Sequence, residues 1–273
     1  MTRRACAMVA LCIVVGVGCG SSSKSTSSGT KTTTSASSSR NNLTGDLNVF
    51  AAASLTDAFN ESKTRLEGEN SSLSITNNFA GSQALVAQIQ QGAPADVFAS
   101  ASSTNMQTLV DAGLVETPQV FAKNILEIAV ARGNPKDIKT LADTERSGVT
   151  LVLADPTVPA GKYARQAYEQ AGLPEPKPAS HELDVKSVMT KLITGEADVV
   201  VAYVTDVRAA GNKVEGVPIP DDQNVVATFP IAALKASKNL AAARAYIAEI
   251  LGAAGQAELK SKGFLPPTDT HSS

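Results

Sequence analysis

Apolar and polar positions along this chain follow two periods that take turns. Leu47 to Ala51 is a short unbroken apolar run, the pattern of a buried strand. From Leu55 the spacing becomes helical: Leu55, Ala58, Phe59, Ser62 and Leu66 share a face, Ser54 stands as the N-cap with Asp57 three residues on, and Gly68 closes the segment. Leu73, Ile75, Asn77 and Phe79 then alternate as a strand does. Gly81-Ser82 opens a second helix with Leu85, Val86 and Ile89 on its apolar side and Gly92 as its stop. Ala95 to Ala99 reads as another buried strand, and Met106, Leu109 and Val110 mark a third helix ending at Gly113.

The second half repeats the alternation. Strands are predicted at Ile125 to Ala131 and Val149 to Ala154, the latter broken by Asp155-Pro156. A helix starts near Ala160-Gly161 and stops at Gly172, followed by a proline-rich loop holding Pro174, Pro176 and Pro178. Asp184 caps a helix that carries Val185, Val188, Met189 and Leu192 at i, i+3, i+4 and i+7. Asp198 to Tyr203 is a β-branched strand, Val225 to Phe229 and Ile231 to Leu234 are extended, and Leu240 to about Lys260 reads as one long helical end. Strand and helix in alternation predict α/β layers, enough for two lobes. No internal repeat is visible, and nothing after the first segment is apolar enough to span a bilayer.

The N-terminal segment changes the picture. Arg3 and Arg4 precede the apolar stretch Met8 to Val17, too short for a membrane span and suited to a signal peptide over residues 1–18. Gly16 and Gly18 lead to Cys19, which resembles a lipobox with Cys19 as the lipidated residue. Gly16 departs from the larger aliphatic residue that pattern prefers, and a plain secretory signal is the alternative. From Gly20 to Ser39, 15 of 20 residues are Ser or Thr. Such a tether has almost nothing to bury, so residues 19–42 are expected to remain disordered and to give reach from a membrane anchor. Cys6, Cys12 and Cys19 are the three cysteines, so the body has neither disulfide nor thiolate metal site. The chain's net charge of −2 becomes −7 once the five basic residues before residue 42 are set aside. A body this acidic lacks a nucleic-acid footprint, and an anion bound to it would need local dipoles to overcome the net field.

Several helix starts carry candidate chemistry. Phe50-Ala51-Ala52-Ala53-Ser54-Leu55-Thr56-Asp57 and Phe79-Ala80-Gly81-Ser82-Gln83 both place a hydroxyl where a strand gives way to a helix. Free N–H groups and the positive end of the helix dipole meet there, so an oxyanion is favoured; simple N-capping needs the same residues. Both ends are expected at the carboxyl edge of one sheet, where α/β proteins place ligands. Asp155-Pro156-Thr157-Val158-Pro159-Ala160-Gly161 leaves bare backbone at a helix start, which is also an ordinary proline entry. Asp184-Val185 is a fourth start. Tyr203 ends a strand, and its hydroxyl, once buried, needs either a ligand oxygen or a carbonyl.

Taken in order, Ala51-Ala52-Ala53-Ser54-Leu55-Thr56, Gly81-Ser82, Gly92-Ala93-Pro94-Ala95-Asp96-Val97-Phe98, Val158-Pro159-Ala160-Gly161 and Val201-Ala202-Tyr203 resemble the periplasmic molybdate-binding proteins of ABC importers, from about Leu47 to Phe264. The resemblance implies a type II periplasmic binding protein fold: two α/β lobes joined by two crossing strands, with the ligand in the cleft. On this chain that implies lobe 1 over residues 43–123 plus 227–268, lobe 2 over 124–226, and a polar tail over 269–273. It implies a non-enzymatic monomer that takes molybdate or tungstate, uses no cofactor, and works with a permease and its ATPase from the outer face of the cell membrane. It also implies that Ser54 and Ser82 donate hydroxyl and backbone N–H groups, Ala160 and Val185 backbone N–H groups, and Tyr203 its hydroxyl. Gln83 replaces a small hydroxyl residue common in the family, and the approach of Lys162 to the ligand is open. Donors alone suit an unprotonated oxyanion, whereas a protonated phosphate leaves its proton unpaired.

Competing readings are few. The same fold could take sulfate, phosphate or an organic anion. A serine hydrolase would need a base, yet His181 lies in a loop beside Pro178, His271 lies in the tail, and Gly81-Ser82 lacks the nucleophile-elbow pattern. His, Asp and Glu nowhere adopt metal-ligand spacing, and Asp221-Asp222 reads as a solvated turn.

Overall fold

The computed structural model describes residues 43–268, so the expected signal segment, Cys19, the tether and the tail lie outside the described residues. The first part of the chain alternates β1 (Gly45–Ala52), α1 (Thr56–Glu69), β2 (Leu73–Ala80), α2 (Ser82–Gln90), β3 (Val97–Ala99), α3 (Ser103–Asp111) and β4 (Gln119–Asn124). Next come β5 (Leu126–Ala131), β6 (Leu151–Ala154), α4 (Pro159–Gln170), β7 (Ser180–Glu182), α5 (Val185–Ile193), β8 (Val199–Tyr203), α6 (Val204–Ala210) and β9 (Val214–Pro218). The chain returns through β10 (Ala227–Ala233) and ends in α7 (Leu240–Leu251) and α8 (Ala253–Lys262).

These strands form two five-stranded sheets, ordered β2-β1-β3-β10-β4 and β7-β6-β8-β5-β9. In the first, β1 is parallel to β2 and β3, and β10 runs antiparallel to β3 and β4. In the second, β6 is parallel to β7 and β8, and β5 runs antiparallel to β8 and β9. The chain crosses between β4 and β5 and returns between β9 and β10. Asparagine amides fasten both crossings. Asn224 donates to the Leu126 carbonyl at 2.8 Å and accepts its N–H at 3.0 Å, while Asn124 donates to Thr205 Oγ1 at 2.9 Å.

Burial follows the sequence periods. All five residues of β8 are buried, as its β-branched run predicts, and α5 buries Val185, Val188, Met189 and Leu192. Asp96, at the end of the Gly92-to-Asp96 segment, ties strand to loop by accepting the Asn48 N–H at 2.8 Å and the Ser237 hydroxyl at 2.5 Å. A chain of aromatic contacts runs through the centre. Phe229 on β10 packs edge-on against Tyr203, Phe121 and Phe264, with ring centres 5.7, 6.3 and 5.5 Å apart. Phe229 thus ties the end of β8 to the core of the other sheet.

Four elements depart from the sequence expectation by being present where none was predicted: β4, β7, β9 and α6. The first three are edge strands with mixed burial. Edge strands are held by main-chain bonds on one side, so apolar periodicity need not announce them. The two extended segments expected around Pro230 are one strand, β10. Its pairing to β4 shifts register between Phe229 and Pro230, the kind of irregularity that accommodates a residue without an N–H. The single helix expected to Lys260 is two, parted at Gly252, whose extended backbone (ψ 172°) starts a new helix.

Candidate functional site

Parallel pairing brings the functional helix starts together. Ala52 on β1 lies beside Ala80 on β2, so the turn entering α1 and the start of α2 emerge side by side. Ala154 on β6 likewise lies beside Glu182 on β7, ahead of α4 and α5. The two groups of helix starts face one another across one small cavity. Its lining of small side chains leaves little open space, so it suits a compact guest. Ser54, Ser82, Ala160, Val185 and Tyr203 all line it, together with Ala52, Ala53, Ala80, Gly81, Ala101, Val158 and Pro159. None of these lining residues is Asp, Glu, Lys, Arg or His.

The polar groups of the wall are unusually free. Ser54 Oγ and the Tyr203 hydroxyl are buried, and neither has a hydrogen-bond partner among the described residues. An unpaired buried hydroxyl costs about 1–3 kcal/mol, which argues for a role outside the protein's own bonding. Ser82 Oγ accepts the Ala101 N–H at 3.1 Å, leaving its own proton to be donated elsewhere. Burial first, and then the proximity of Tyr163 and Asp206, hold the Tyr203 hydroxyl well above its usual pKa, so it remains a donor. Ala160 stands directly after Pro159, which starts α4, and Val185 is the first residue of α5. Their N–H groups have no carbonyl a turn behind. Asp184 caps α5 as expected, taking the Ser187 N–H at 2.9 Å and leaving that of Val185 free of the cap.

The N-cap expected at Ser54 is not formed. The chain leaves β1 through a 3-10 turn over Ala53–Leu55, and Leu55 precedes α1 without any side-chain cap. Thr56 Oγ1 instead donates back to the Ala53 carbonyl at 2.7 Å, and the turn aims Ser54 at the cavity. Two glycines are fixed by close approach. A Cβ at Gly161 would lie 2.2 Å from the Asp155 carbonyl oxygen, and one at Gly81 would lie 2.5 Å from the Leu183 carbonyl oxygen of the opposite half. Lys162 is not among the lining residues: its Nζ reaches Thr104 Oγ1 at 3.4 Å on the outside. His181 is partly exposed on β7, with Nδ1 3.9 Å from Asp155, and does not line the cavity either, so it offers the serines no base. Ala101 escaped sequence reasoning because only folding brings the turn after β3 against Ser82 at the start of α2. No group of three or more His, Cys, Asp or Glu residues that could hold a metal occurs among the described residues.

Two α/β halves enclosing one cavity of neutral donors define a cleft-type solute-binding protein. The chain belongs to the bacterial extracellular solute-binding protein family, whose profile matches residues 47–265. It is 40% identical over 220 residues to the molybdate-binding protein ModA of Mycobacterium tuberculosis H37Rv, a match covering 80% of this chain and 84% of that protein. Its fold matches the periplasmic molybdate-binding protein of Azotobacter vinelandii with a TM-score of 0.72 at 18% identity, over 81% of this chain and all of that one. It matches the sulfate-binding protein SubI of Mycobacterium tuberculosis H37Rv with a TM-score of 0.74 at 18% identity, over 81% and 86%. At 18% identity these two likenesses concern the fold. The resemblance drawn from the sequence motifs and the two-lobed α/β fold are thereby borne out.

Proposed function

We propose that this protein captures molybdate, or tungstate, outside the cytoplasm and delivers it to the permease and ATPase of an ABC importer. The observation that carries the reading is the pair of buried, unpartnered hydroxyls, Ser54 and Tyr203, on one small uncharged cavity with Ser82. A tetrahedral dianion offers four acceptor oxygens and no proton, which matches hydroxyls and helix-start N–H groups that cost little to reorganise. The neutral wall lets dipoles supply the attraction that an acidic body does not. Similarity to ModA supports molybdate over other oxyanions. In this reading Ser54 and Ser82 serve from lobe 1 (residues 43–123 and 227–268), and Ala160, Val185 and Tyr203 from lobe 2 (residues 124–226). The lobes close on the ligand by a hinge at the two crossings. A lipid on Cys19 and the Ser/Thr tether would keep the monomeric body at the outer face of the membrane.

Thermal unfolding of residues 41–273 with molybdate, tungstate, sulfate and phosphate at matched ionic strength tests this. A ligand at 100 times its dissociation constant adds about 2.7 kcal/mol of stability. A large upward shift with molybdate and tungstate alone is expected. A shift confined to sulfate or phosphate would keep the cleft and overturn the ligand.

A further inference from the structure

Three cavity-lining residues are each followed closely by a charged residue in the first turn of a helix: Ser54 by Asp57 on α1, Val185 by Lys186 on α5, and Tyr203 by Asp206 on α6. None of the three charges lines the cavity. They meet one another beside it. Lys186 Nζ donates to Asp57 Oδ2 at 2.8 Å and lies 3.5 Å from Asp206 Oδ1. Asp206 is fully buried, the Lys186 side chain is one-third exposed and that of Asp57 about half. Burial alone would lower the lysine's pKa, but Asp206 and then Asp57 more than offset it, so the ammonium stays charged. Lys262, the other cation facing Asp57, is paired with Glu61 at 2.5 Å.

The placement of Lys186 runs against helix preference. A cation in a first turn opposes the dipole of α5, whereas Asp57 and Asp206 in the first turns of α1 and α6 agree with theirs. The lysine is therefore explained by its partners and not by its helix. Asp206 belongs to the same half as Lys186 and stays with it however the halves move. Asp57 belongs to the opposite half, so the 2.8 Å pair exists only while the halves are together. Nearby contacts across the cleft are weaker: Gln83 Nε2 donates to the Leu183 carbonyl at 3.1 Å, and Lys162 Nζ to Thr104 Oγ1 at 3.4 Å.

We infer that Lys186, anchored on Asp206, is a positioning residue that straps α5 to Asp57 of α1 and holds the cleft shut around its anion, an inference that rests on the function proposed above. Such a strap forms after the ligand has entered, so it slows release and leaves capture unchanged. Because the pair is half exposed, salt weakens it.

The test is the rate at which labelled molybdate leaves the full chain, measured by rapid dilution at low and at high salt. Asp57→Asn, at an exposed position, should release molybdate roughly two- to fivefold faster at low salt, with unchanged association and most of the salt dependence gone. Lys186→Arg should retain slow release. The double variant Asp57→Asn with Lys186→Met should release no faster than Lys186→Met alone, because both changes remove one contact. Release from Asp57→Asn equal to wild type at both salts overturns the strap, as do effects that multiply in the double variant. Wild-type protein that is folded by circular dichroism yet retains no molybdate overturns the cleft reading itself, a separate result from unaltered release.

Discussion

The two sheets share one wiring. Each has a parallel trio on one side, β2-β1-β3 or β7-β6-β8, extended on the other side by two strands in antiparallel pairing. Each fastens its trio in the same way: Asp96 bonds both the carbonyl and the N–H of Asn48, and Asp198 does the same to Thr150 at 2.9 and 2.8 Å. Each presents the helix starts after its first and second strands to the cavity. In the first half those starts hold Ser54 and Ser82, and after the third strand comes Ala101. In the second half they hold Ala160 and Val185, and the third strand ends in Tyr203. One half thus offers hydroxyls from its helix starts, while the other offers bare main chain there and a hydroxyl from its strand end. The difference teaches that the fold supplies the position of the donors, and side chains decide only which atoms donate.

The largest expected effect tests what joins the halves. Phe229→Ala should lower stability by about 3–5 kcal/mol in denaturant unfolding, because its ring packs against Tyr203, Phe121 and Phe264. Next, Ser54→Ala or Ser82→Ala should each weaken molybdate binding by about 1–3 kcal/mol in calorimetry, since a charged acceptor loses a buried donor. Unchanged affinity in both would remove the first half's hydroxyls from the site.

A third test uses Asp206. Burial, only partly offset by Lys186, raises its carboxyl to about 6 from an ordinary 3.8. The folded state therefore holds a proton that the unfolded chain has lost between those values. Stability from this group is fully present below about pH 4 and is lost as pH rises through about 6. Melting temperatures recorded across that window should fall more steeply in wild type than in Asp206→Asn; parallel curves would show that the carboxyl titrates normally. The smallest effect sharpens the contrast between the halves. Val185→Ala should leave affinity within about 0.5 kcal/mol, because its expected donor is the main chain. A loss as large as that of the serines would mean the second half also works through side chains.

Much of this was legible along the chain because local physics wrote it there. The α5 face Val185, Val188, Met189 and Leu192, the Asp184 cap and the buried run of β8 follow from spacing alone. Ser54, Ser82, Ala160, Val185 and Tyr203 were legible as strand ends and helix starts, and the motif resemblance gathered them before any coordinate did. The Ser54 cap misled because capping and ligand donation ask for the same residue type, and only the 3-10 turn tells them apart. β4, β7 and β9 left little trace because an edge strand can be held by main-chain bonds with few apolar side chains.

The sequence by itself determined the alternation of strand and helix, the small residues at the helix starts and, through the motif resemblance, the five candidate donor positions. Tertiary structure decided that those positions face one cavity, since parallel pairing sets Ala52 beside Ala80 and Ala154 beside Glu182. It also decided the likeness of the two halves, which no sequence repeat records, because strand order depends on pairing and packing that many side chains satisfy. And it alone placed Lys186 between Asp57 and Asp206, residues 129 and 20 positions away, where charges distant in the chain can meet only by folding.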